Sequence, residues 1–149
     1  METVNRLQEL AQLLTDSQLG YGDVAGKLQD TEFASIAMAI GNGRAPMIEE
    51  IGNELALSGE PTPGEGTIKG SLHRTWMEMK DRITGHNDRT WIAECEQGES
   101  FLLQRYDDAL ADPALPERIK SLLRRHRDRI FKDRERVRQL EQMMEKSDG

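Results

Sequence analysis

The sequence predicts an all-α protein: a bundle of four long helices with a long crossover that carries a short extra helix. Three observations carry that expectation. Charged residues make up 32% and aromatics 5% of the 149 residues, a mix that suits amphipathic helices with charged outer faces better than a sheet rich in aromatic and β-branched side chains. Apolar residues recur at spacings of three and four over long stretches, the period of one helix face. Glycine and proline gather in the short segments between those stretches, where helix propensity is lost. A chain of this length fits one domain, residues 1–149, with a single core.

The first helix is expected over about residues 3–29, with Val4, Leu7, Ala11, Leu14, Gln18, Tyr21, Ala25 and Leu28 along its seam. Gly20, Gly22 and Gly26 weaken it, by up to about 1 kcal/mol each relative to alanine, and the close approach of another helix is the expected reason. Asp30 or Thr31 can cap a second helix over 31–57, whose inward face is Phe33, Ile36, Ile40, Met47, Ile51 and Leu55. So short a turn makes the two an antiparallel hairpin. Within the second helix, Gly41 to Pro46 predicts a kink near Gly43, or a break, because proline removes a backbone donor and crowds the preceding turn.

Residues 58–66, SGEPTPGEG, read as a linker. A shorter helix is expected over 68–84, with Leu72, Trp76, Met79 and Ile83 on one stripe. Linker and short helix together form a crossover between two helix hairpins, the wiring of ferritin-like bundles. Asn87 or Asp88 can cap the helix expected over 88–111, and Asp112-Pro113 ends it. Pro116 and Glu117 suit the first turn of a last helix, to about residue 145, with Ile119, Leu123, His126, Ile130, Asp133, Val137, Leu140 and Met144 as its seam.

Charge narrows the function classes. The net charge of −7 and the pI near 5.0 argue against nucleic acid as a partner, since binding it needs a basic surface that displaces counterions. Residues 117–138 nevertheless carry ten Lys or Arg against four Asp or Glu, a basic face expected to pair with acidic flanks of neighbouring helices. The N-terminus begins METVNRLQEL and no apolar run approaches the roughly 20 residues of a membrane span. A cytoplasmic protein without membrane association is the expectation. The single cysteine, Cys95, excludes an internal disulfide.

Leu72-His73-Arg74-Thr75-Trp76-Met77 with Lys80, followed by Glu94-Cys95-Glu96-Gln97-Gly98-Glu99 and Tyr106, resembles the signature of a bacterial domain family of unknown function. Its members are described as four-helix bundles of the ferritin-like superfamily. The resemblance implies the fold, with His73, Arg74, Trp76, Gly98 and Tyr106 as signature positions, and implies no established activity. Within the signature, Gly98 is expected to let another backbone approach. Arg74 stacked on Trp76, or His73 capping a neighbouring helix, would be an ordinary structural use of that trio.

Di-iron bundles place a Glu on each of two helices and a Glu-x-x-His on the other two. Here that pattern is eroded: Gln18 stands at the first helix's central seam position, residues 37–47 hold no acid or histidine, and Leu123 lies three before His126. Glu94, Glu99 and His126 are the candidate metal ligands that remain, for a divalent ion at most. Gln18 and Asp133 are further polar core candidates. The favoured reading is a non-catalytic binding or structural protein, with the link to stress conditions that the resemblance suggests, without a cofactor and self-associating as a dimer. The competing reading is an oxidase, peroxidase or metal-storage activity at the degenerate site. A third is an interaction module whose basic last helix docks an acidic protein partner.

Overall fold

The computed structural model describes residues 2–63 and 87–148, and every statement below concerns these residues. They form an all-helical bundle: α1 (Glu2–Lys27), α2 (Thr31–Asn42), α3 (Arg44–Leu57), α4 (Asp88–Leu110) and α5 (Glu117–Asp148). The expected helix over 68–84, with His73, Arg74 and Trp76, lies outside the described residues.

Local chemistry sets the ends. Asp30 caps α2 by accepting from the Glu32 and Phe33 amides at 2.9 and 3.1 Å, and Asn87 caps α4 by accepting from the Thr90 amide at 2.9 Å, satisfying donors that a helix start leaves without partners. Asp88 then ties two elements together. Its carboxylate accepts from the Gln29 and Asp30 amides at 2.8 and 2.9 Å, which places the start of α4 at the α1–α2 turn. At the other end Arg6 of α1 reaches Asp112, just past α4, at 3.2 Å. Helix α4 therefore runs antiparallel to α1.

The second rod is bent at one residue. Gly43 ends α2 and begins α3 with helical angles, φ −66° and ψ −14°, so the rod is kinked rather than opened into a loop. Pro46 falls in the first turn of α3 and is exposed, a position where its missing N–H disturbs no helical bond. Arg127–Asp107, Arg138–Glu96 and Arg89–Glu145 keep α5 antiparallel to α4. Arg118–Glu54 and Arg125–Glu50 do the same for α5 against α3. The helices thus run up, down, down, up, and the end of α3 and the start of α4 lie at opposite ends of the bundle. Four of the basic residues of α5, Arg118, Arg125, Arg127 and Arg138, pair with acids of α3 and α4, while Arg124 and Arg129 pair within α5.

The apolar interior falls into two clusters. One holds Leu7, Leu14, Met47, Ile51, Leu102 and Ile130 with their neighbours; the other holds Tyr21, Val24, Ile40, Trp91, Cys95 and Val137 with theirs. Between them, at the level of the kink, each rod contributes one polar side chain. These four are Ser17, Arg44, Glu99 and Asp133, all buried.

Two of the three glycines of α1 do not serve the close helix approach expected of them. A Cβ at Gly22 or Gly26 would meet nothing within 4 Å, whereas one at Gly41 of α2 would lie 2.8 Å from the Tyr21 Cβ and 3.4 Å from the Gln18 carbonyl oxygen. The close contact between the two helices is therefore made by the glycine on α2.

Candidate functional site

The polar layer is built around Arg44, which the kink places at the first position of α3 and which has no exposure. Its Nε donates to Ser17 Oγ at 3.2 Å, Nη1 donates to Asp133 Oδ2 at 3.2 Å, and Nη2 donates to Glu99 Oε1. The guanidinium also lies over the Tyr21 ring, 5.9 Å from its centroid, a favourable cation–π placement. One side chain thus binds all the other rods. A planar, permanently charged fork suits this role better than an ammonium would.

Electrostatics follow from burial. Desolvation alone would lower the Arg44 pKa, but Glu99, Tyr21 and Asp133 outweigh it and hold the group above its ordinary value. Burial pushes the Glu99 carboxyl up, and the pull of Arg44 does not cancel that. Asp133 receives a second cation, Arg129, at 3.4 Å from the solvent side.

A second polar line lies further along the bundle. His126, 2% exposed, has Nδ1 at 3.0 Å from the Tyr106 hydroxyl and Nε2 at 3.1 Å from Glu50 Oε1. The neutral ring satisfies both contacts if the tyrosine donates to Nδ1 and Nε2–H donates to the carboxylate. Burial lowers the His126 pKa, against the opposing pull of Glu50. Partial burial would raise Glu50, but His126 and Arg125 outweigh it and hold that carboxyl low.

The third feature is a crevice between α1 and α4. Asp16, Gly20, Tyr21, Cys95, Gly98 and Glu99 line it together with Ser17, around a cavity of about 20 Å³, room for one water-sized group. Two lining positions lack side chains, which is what opens it. A Cβ at Gly98 would meet nothing within 4 Å, so this glycine does not admit another backbone as expected; it faces open space instead.

The sequence-predicted residues are distributed as follows. Glu99 and Asp133 meet at Arg44, and His126 meets Tyr106. Glu94 is buried five residues before Glu99 on α4, and Glu96 pairs with Arg138 at 2.9 Å. Gln18 is only half-buried; the inward polar positions of α1 are Gln12, Asp16 and Ser17, although the seam positions Val4, Leu7, Ala11, Leu14 and Tyr21 are buried as expected. Glu99 and His126 are thus committed to different partners in different layers. Among the described residues, no group of three or more His, Cys, Asp or Glu side chains is arranged to hold a metal ion.

Arg44, Ser17 and Glu50 were not singled out from sequence. The one signal was the anomalous GNGRAP segment, which marked the kink without marking the arginine inside it. Cys95 is free and buried; burial, then Glu99, Glu94 and Glu141, push its thiol pKa well up, the opposite of what a nucleophile needs.

Among the described residues, no helix is long and apolar enough to cross a membrane. No curated protein matches the chain. The family model described as Domain of unknown function (DUF2383) matches residues 2–112, stopping short of the helix that supplies His126 and Asp133, and on that match, which spans well over half of its length, the chain belongs to this family.

Proposed function

We propose that the protein is a ferritin-like bundle with a non-catalytic binding or structural role. The observation that carries this reading is Arg44. Its guanidinium stands between Glu99 and Asp133 and supplies, as a permanent part of the chain, the positive charge that a metal ion would otherwise bring to paired carboxylates. The up, down, down, up wiring supports the ferritin-like relationship.

Self-association is part of the proposal. Phe101 and Phe131 are 46% and 40% exposed and lie at one level of the α4–α5 pair, where Arg134 reaches Ser100 at 3.4 Å and covers the Phe131 ring at 5.3 Å. A second copy is the occupant this patch favours, and light scattering on a sizing column should give a dimer mass that falls to a monomer in Phe101→Ser with Phe131→Ser. The favoured setting is the cytoplasm.

The deciding experiment is elemental analysis of protein purified without chelator, paired with oxygen and peroxide consumption. The expected result is no stoichiometric metal and no turnover. Stoichiometric iron with turnover, lost together in His126→Ala, would overturn the reading in favour of a metal centre at Glu94, Glu99 and His126.

A further inference from the structure

Among the described residues, four carboxylates are nine-tenths or more buried, Asp16, Glu94, Glu99 and Asp133, against one buried guanidinium. Asp133 shares Arg44 and Arg129, whereas Asp16 of α1 and Glu99 of α4 both line the crevice. Glu99 is 1% exposed, and while Oε1 takes Arg44, Oε2 has no hydrogen-bond partner. Asp16 accepts from Gln12 at 3.1 Å through Oδ1, and its Oδ2 is likewise without a partner. The Tyr21 hydroxyl adjoins Glu99 closely enough to interact with it, yet makes no aligned hydrogen bond.

Buried acceptors without donors cost about 1–3 kcal/mol each, so this end of the interior is built to receive a donor. The required donor is small, cationic and able to give more than one hydrogen bond. The rest of the wall, formed by the Cys95 thiol and the two glycine positions, suits a slender aliphatic stem rather than a hydrated ion. Negative surroundings extend past the crevice to Glu94 and Glu141, which both act on Cys95.

We propose that the α1–α4 crevice is a binding site for a small primary alkylammonium ion, its head between Asp16, Tyr21 and Glu99 and its stem leaving past Gly20 and Gly98. An –NH3+ group is the size of one water, fills the cavity, and has three donors for the acceptors that lack them. The assignment deepens the non-catalytic binding role and rests on it.

The test is calorimetric titration of the full-length chain with n-propylammonium chloride, with sodium chloride and n-propanol as matched controls. Saturable binding to the wild type is expected for the amine and for neither control, weakened at least about tenfold in Asp16→Asn and in Gly98→Val. The valine is a blocking substitution whose Cβ has open space, and circular dichroism verifies that both variants are helical. No saturable heat from the amine, equal heat from either control, or undiminished affinity in both variants would overturn the site. Metal-dependent turnover in the earlier experiment would sink the non-catalytic reading instead, so the two failures are told apart.

Discussion

A guanidinium with no exposure is costly unless each of its charges and donors is met, and at Arg44 they are met by one side chain from every other rod: Ser17, Glu99 and Asp133. Removing one member leaves the others buried and uncompensated, whereas replacing the whole set with apolar groups is often neutral or stabilising. Arg44→Met is therefore expected to cost about 3–5 kcal/mol, with most of that recovered when Glu99→Met and Asp133→Leu are added. Urea denaturation of the single and triple variants measures both, and a neutral Arg44→Met would show that the layer does not hold the rods together. Helical spacing placed Asp133 inward from sequence, since it falls on the apolar stripe of the last helix, whereas Glu99 stands one residue past Gly98 on α4 and reads as part of an acidic, solvated face. Arg44 escaped because an isolated arginine beside glycine and proline has the composition of a surface turn, and arginine is rarely buried unless paired. Its acidic partners lie 55 and 89 residues away along the chain, beyond the reach of any local pattern.

At the scale of elements, the rods were legible because each carries a long apolar period, and seven of the eight rod ends read from sequence fall within two residues of those observed. What was illegible was how the rods face one another. A glycine spaced along a helix signals either a close crossing or open space, and sequence does not say which. Here Gly22 has open space while Gly41 meets the Tyr21 Cβ at 2.8 Å. Opposite outcomes follow from the same substitution. Gly22→Ala should stabilise the protein by about 0.5–1 kcal/mol through helix propensity and a less flexible unfolded chain. Gly41→Ala should destabilise it by roughly 1–3 kcal/mol, because α1 and α2 must separate to admit a methyl group. Thermal melts of the two variants side by side check this, and melting shifts of the same sign would contradict the α1–α2 packing described above.

For the whole molecule, the polar groups of two layers make stability depend on pH in opposing ways. His126 has a folded pKa below its ordinary 6.5, so its contribution is fully present above that value and is lost as pH falls through the lower folded one. Glu50, held below 4.5 by His126 and Arg125 against the effect of its partial burial, adds a further loss in more acidic solution. Glu99 works the other way: its folded pKa is raised above 4.5, so its contribution is complete below 4.5 and declines as pH rises through the folded value. The net curve mixes these groups, but a variant isolates one of them. His126→Gln keeps a donor for Glu50 and an acceptor for Tyr106 and cannot titrate. The stability advantage of the wild type over this variant, from urea melts between about pH 7.5 and pH 5, should hold above about pH 6.5 and shrink as the solution is acidified below it. An advantage that stays constant across that interval would mean that the imidazole enters the bundle without resisting protonation, and the hydrogen-bonded line from Glu50 to Tyr106 would then not be what closes α3, α4 and α5 around it.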